Sequence, residues 1–180
     1  MPNHCTNRLF ISVDSKHQKE LDDFRKTSIV KDEEGYEKLT FNGVMPMPKV
    51  FDGLHSGSYT TKKGKKISKW RIDSLGRSRP ISDKTLEKWK KKYGATGWYS
   101  WSCNNWGTKW DAYAQSVNWN EEDTLEIEFD TAWSPPIPWL EAVAAKYPHL
   151  DITMRYEEEG MGFMGKAVSH DGAIHDQYIQ

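Results

Sequence analysis

The sequence predicts an α+β fold, an antiparallel sheet with helices on one face, and three observations carry that prediction. Residues 9–13, 125–129 and 152–156 alternate between apolar and polar side chains, as strands with one buried and one wet face do. Other runs repeat their apolar residues at helical spacing. A length of 180 residues suits one domain around a single core.

Taken in order, Leu9, Ile11 and Val13 alternate with Arg8, Phe10 and Ser12 in a first strand. Ser15 to Gln18 matches a capping box, with the Ser15 hydroxyl and the Gln18 amide serving opposite backbone donors. The helix it opens sets His17, Leu21, Phe24 and Ser28 on one face and ends near Ile29. Residues 30–82 are the least regular part. Pro46 and Pro48 leave little room for pairing, and Lys62-Lys63-Gly64-Lys65 suggests a short exposed hairpin within 60–70. We read 50–82 as a basic segment inserted into a single domain spanning 1–180.

A second helix is capped by Ser82 or Asp83, carries Leu86, Trp89 and Tyr93, and stops at Gly94. Asp83 at its start and Lys90, Lys91 and Lys92 at its end complement the helix dipole. Strands over 109–117 and 125–129, joined by the polar turn 118–123, form a hairpin. Pro135, Pro136 and Pro138 open a further helix whose stripe is Leu140, Val143, Ala144 and Tyr147, and Pro148 stops it. The strand with Ile152, Met154 and Tyr156 follows, and Gly160-Met161-Gly162 turns the chain into an extra C-terminal strand near 163–169. Without the insertion and the last strand the order is β-α-β-β-α-β, the split β-α-β or ferredoxin-like arrangement.

Nine Trp, eight Tyr and six Phe offset a hydrophobic fraction of 37% and supply a core, which argues against a disordered chain. No run approaches the roughly 18 apolar residues of a membrane span, and residues 1–10 lack the apolar centre of a signal peptide. Cys5 and Cys103 make no disulfide framework, so a cytoplasmic, reducing setting is expected. The net charge of -1 hides a strong polarity. Thirteen basic residues between Lys62 and Lys92 face three acidic ones, for +10, whereas 120–180 carries −10.

Catalytic patterns are missing. His4, Cys5, Cys103, His170 and His175 show neither CxxC nor HxxxH spacing, so no metal and no cofactor is expected. There is no GxSxG, and Cys103 precedes Asn104-Asn105 without a recognisable nucleophile signature. Glu126, Glu128 and Asp130 fall on the outward face of a strand, and Glu157-Glu158-Glu159 is a charge run at a turn, both ordinary solvated faces. Phosphate-cradling glycine loops are absent. The expectation is a protein that is not an enzyme.

Two segments are candidates for binding. Residues 98–110 hold Trp98, Trp101, Trp106 and Trp110, which either stack on a partner or, as a loop entering a strand, seal a core short of Leu and Ile; the core role is favoured. The basic stretch offers Lys62, Lys63, Lys65, Lys66, Lys69, Trp70, Arg71, Lys88, Lys91 and Lys92. Positive charge beside an aromatic suits an acidic protein surface or nucleic acid, and a solvated face is the plain alternative.

Residues Met1-Pro2-Asn3-His4-Cys5-Thr6-Asn7-Arg8-Leu9, the run Asn105-Trp106-Gly107-Thr108-Lys109-Trp110-Asp111-Ala112-Tyr113, and Thr131-Ala132-Trp133-Ser134-Pro135-Pro136 followed by Trp139 resemble the YubB-like family. These are small proteins of conjugative plasmids and bacteriophages. The resemblance covers the first strand and helix and roughly 93–172, implies a ferredoxin-like domain of mobile-element origin, and brings no catalytic residue. On it rests the expectation of a phage or plasmid accessory protein in the bacterial cytoplasm. Such a protein would bind a host protein with an acidic surface, as an antagonist of a host defence system. The alternative is a nucleic-acid-binding module using 62–92.

Overall fold

The computed structural model describes every residue except Met1, Pro2, Lys62, Lys63, Lys65 and Glu122. The chain divides into two compact units, Met1–Pro46 with Cys103–Gln180, and Met47–Ser102. In chain order the elements are β1 (His4–Val13), α1 (Gln18–Ser28), β2 (Ile29–Lys31), β3 (Glu37–Leu39), β4 (Leu54–Thr60), β5 (Lys66–Ile72) and β6 (Ser78–Pro80). Then come α2 (Asp83–Tyr93), α3 (Trp98–Asn105), β7 (Tyr113–Glu121), β8 (Thr124–Ala132), α4 (Ile137–Lys146), β9 (Leu150–Glu158), β10 (Phe163–His170) and β11 (Ala173–Ile179).

The first unit holds a six-stranded sheet in the order β11-β10-β9-β1-β8-β7, every neighbour antiparallel. Its inner part, β9-β1-β8-β7 with α1 and α4, is the ferredoxin-like arrangement; β10 and β11 widen the sheet beyond it. One extra strand was expected and two are present. The second, β11, is exposed along nearly all its length, so it has no buried face to impose alternation.

Strand burial follows the predicted pattern. Leu9 and Ile11 of β1, Leu125 and Ile127 of β8, and Ile152 and Met154 of β9 are all buried. Each such side chain contributes about 1.5–3 kcal/mol of transfer free energy. Leu21 and Phe24 of α1 and Leu140 and Val143 of α4 are buried too. Phe41, inside the segment that looked irregular, is completely buried and touches the rings of Trp106, Phe129 and Trp139 at centroid distances of 5.7, 6.0 and 4.7 Å.

Three local expectations need correction. Asp14, not Ser15, caps the first helical turn, its Oδ1 accepting from the Lys16 N–H at 3.1 Å. Extended backbone continues through residue 14, so the last extended residue takes the capping position, and Ser15–His17 form a 3-10 turn ahead of α1. The strand expected over 109–117 begins at Tyr113 and runs to Glu121. Asp111 draws residues 109–112 out of the ladder by accepting from Thr40 Oγ1 at 2.6 Å and Phe41 N at 2.7 Å. Residues 98–105 form a helix rather than a loop.

The second unit has its own sheet, β4-β5-β6, antiparallel throughout. Phe51, 1% exposed, meets Trp89 and Tyr93 of α2 at ring-centroid distances of 5.8 and 5.7 Å, with Leu54 and Ile67 also buried. Ser82 is the helix cap, its Oγ accepting from Thr85 N at 3.2 Å, and Gly94 takes the left-handed conformation (φ 72°) that ends α2. This unit reaches beyond 50–82 on both sides and includes α2.

Candidate polyanion-binding surface

Trp89 and Tyr93, one helical turn apart, turn the apolar side of α2 onto Phe51. Away from that side α2 carries Lys84, Lys88 and Lys91 at i, i+4 and i+7, with Lys92 at i+8 on its flank, all exposed. Among the described residues, Lys84, Lys88 and Lys91 make no ion pair. The Lys92 ammonium lies 5.0 Å above the Tyr93 ring. Lys88 has like charges one turn away at Lys84, Lys91 and Lys92, each pair costing about 0.2–0.5 kcal/mol, a cost partly offset by Glu87, which shares the face with Lys84 and Lys91. Sequence reasoning chose Lys88, Lys91 and Lys92 and missed Lys84, which the same i, i+4 spacing identifies.

The β5 candidates are largely engaged within the unit. Lys66 is exposed. Lys69 donates to Ser56 Oγ at 2.7 Å, and burial lowers its pKa. Trp70 stacks on His55, centroids 6.0 Å apart at 12°, and Gly57 leaves room for its indole: a Cβ there would sit 3.0 Å from the ring. Arg71 is a structural residue, its guanidinium donating to the Val50 carbonyl. Lys62, Lys63 and Lys65 lie outside the described residues. Arg77 and Arg79 both reach Asp73 Oδ2, at 3.0 and 2.9 Å. The backbone N–H of Arg77, helped by that of Leu75 and by the two guanidiniums, holds the Asp73 carboxyl below the usual range. The arginines of this unit are therefore committed, and its open charge is lysine. Residues 47–102 hold fourteen basic and four acidic side chains, a net +10.

Elsewhere the aromatic segment is mainly core. Trp101 and Trp106 are 6% and 2% exposed, and the Trp106 indole donates to the Met45 carbonyl at 2.9 Å. The Lys109 ammonium sits 4.3 Å from the Trp110 ring and 5.0 Å from the Trp133 ring. Cys5 is fully buried and desolvation pushes its thiol up to about 12, so it offers no thiolate.

One cluster was not foreseen. His17, Glu20 and His149 place ligand atoms within 4.8 Å of one another. The imidazoles of His17 and His149 stack at 3.7 Å and 5°, and their parallel planes cannot share one ion without a ring rotation. Glu20 meanwhile accepts from His149 N at 3.1 Å and lies 2.5 Å from its Nδ1, clamping the start of α1 to the turn before β9. The signal was weak in sequence, because His149 lies 129 positions beyond Glu20.

The sheet order defines a ferredoxin-like α+β protein, and comparison with known proteins agrees. Residues 108–180 match a family described as the ferredoxin-like domain in Api92-like protein. The crystal structure of the protein Api92 from Yersinia pseudotuberculosis is similar over 100% of this chain and 99% of its own, with a TM-score of 0.52 and 11% identity. At that identity the likeness concerns the fold alone. No curated protein matches the chain. Among the described residues, no helix is long and apolar enough to cross a membrane.

Proposed function

We propose that this protein binds nucleic acid without catalysis, through the lysine face of the Met47–Ser102 unit, with the phosphate backbone as the ligand. The observation that carries the reading is the ridge of Lys84, Lys88, Lys91 and Lys92 in a unit of net +10 whose three arginines are held by internal partners. Ammonium groups on flexible stems suit phosphates as point charges, and binding releases the counterions condensed on the polymer. Backbone contacts of this kind set affinity and register without reading bases. Lysine is depleted in protein–protein interfaces, which favours nucleic acid over an acidic protein surface.

A host-protein partner is the competing reading. It rests on the resemblance of the Trp-Gly-Thr-Lys-Trp and Ala-Trp-Ser-Pro-Pro runs to YubB-like proteins, as do a plasmid or phage setting and a role against host defence. Fluorescence anisotropy of the full chain with labelled random duplex and single strands decides between them. Saturable binding to either, lost when the four lysines become Gln, supports the proposal. No binding at about 50 mM salt, where counterion release is strongest, overturns it and leaves the protein-partner reading.

A further inference from the structure

The sheet of the first unit has a face that its helices do not cover, and the register of four strands builds a row of charge across it. Arg8 lies opposite Glu128 on one side and Arg155 on the other; Arg155 lies opposite Lys166, and Lys166 opposite Gln177. Neighbouring strands are about 4.8 Å apart, so three cations stand side by side within about 10 Å. Like charges directly opposite in a sheet are destabilising. Arg8 is relieved by Glu128, Nε to Oε1 at 2.7 Å. Among the described residues, Arg155 and Lys166 have no such partner.

The next row on the same face is Thr6, Glu157, Met164 and Ile179, with Met164 and Ile179 55% and 63% exposed. Together the two rows line a concavity of about 420 Å³. That volume falls within the range of small-molecule sites, an apolar wall beside a few convergent polar groups. With Arg8 already paired to Glu128, Arg155 and Lys166 against the carboxylate of Glu157 leave one net positive charge, the sign that an anionic phosphate group requires.

We propose that this face binds a phosphate monoester with an apolar or aromatic body. Arg155 and Lys166 hold the phosphate, Gln177 beside Lys166 supplies a hydrogen bond, and Met164 and Ile179 carry the body. The unfavourable Arg155–Lys166 juxtaposition is then relieved only when the anion is present.

The test is titration of the ¹⁵N-labelled full chain with AMP, inorganic phosphate and adenosine, followed by NMR. AMP should move the amides of Arg8, Arg155 and Lys166 saturably, with inorganic phosphate and adenosine each weaker by about tenfold or more. Arg155→Thr should weaken AMP binding by about tenfold or more, since hydrogen bonds to charged groups are the strong ones, while its melting temperature stays at or above that of the unchanged protein. AMP shifts confined to residues 47–102, an absence of saturation by about 10 mM, or an Arg155→Thr variant that binds equally well would each overturn the proposal. Replacing Lys84, Lys88, Lys91 and Lys92 by Gln leaves this site untouched, so failure here and failure of nucleic-acid binding are separable.

Discussion

Ser134 donates its hydroxyl hydrogen to the Gly107 carbonyl at 2.6 Å, which joins the two most distinctive runs of the sequence. One residue on, the Thr108 hydroxyl donates to the Ala132 carbonyl at 3.0 Å and lies 3.1 Å from the Ala132 N–H, which it accepts. Gly107 itself has φ +83°, and a Cβ there would meet Pro138 Cδ at 2.5 Å. The end of β8, the start of α4 and the chain leaving α3 are thus fixed at one small junction.

Gly107→Ala should therefore be one of the most damaging single-methyl changes in the protein. A left-handed backbone and a clash with a rigid proline ring act together, and we expect a loss of about 2–4 kcal/mol in urea unfolding. Ser134→Ala removes only one hydrogen bond and should cost about 1 kcal/mol. Equal, small effects for both would contradict the packing described.

Burial of Cys5 gives a pH dependence with a definite sign. Its folded thiol titrates at about 12 against an ordinary value of 9.0, so above pH 9 the unfolded chain loses a proton that the native state keeps. This stabilising contribution is complete below pH 9 and is lost as pH rises toward 12. Urea unfolding at pH 7 and pH 10 should show a loss of up to about 1 kcal/mol that Cys5→Ala does not show. Iodoacetamide at pH 8 should leave Cys5 unmodified in the native protein.

Much of the first unit was legible because its strands bury one face. Leu9-Ile11-Val13 and Leu125-Ile127-Phe129 declare themselves by alternation, and the core side chains follow. Phe41 and Phe51 were not legible, since each lies in a Gly- and Pro-rich stretch without helical or strand periodicity and is buried by partners distant in sequence. Arg71, chosen as a binding residue, looked like any other cation until the Val50 carbonyl appeared beside it. The row Arg8-Arg155-Lys166 exists only in the strand register, which a sequence of separated elements does not contain.

Arg71 and Lys88 should respond in opposite ways to substitution. Arg71→Ala removes a charged donor from the Val50 carbonyl and should destabilise the second unit by about 1–3 kcal/mol. Lys88→Gln relieves repulsion from Lys84 and Lys92 and should leave stability unchanged within about 0.5 kcal/mol. Thermal unfolding by circular dichroism distinguishes them; a larger loss for Lys88→Gln would mean the ridge is structural.

The salt dependence of DNA binding tests the central claim most directly. Log K against log salt, measured by anisotropy on a random duplex for the unchanged chain and for the variant with Lys84, Lys88, Lys91 and Lys92 all changed to Gln, reports the number of phosphates each neutralises. With about 0.9 in slope for each phosphate contact, the account predicts a slope shallower by about 2–4 in the variant and an intact fold. A variant with the same slope and affinity, or an unchanged chain that fails to bind at low salt, would contradict it.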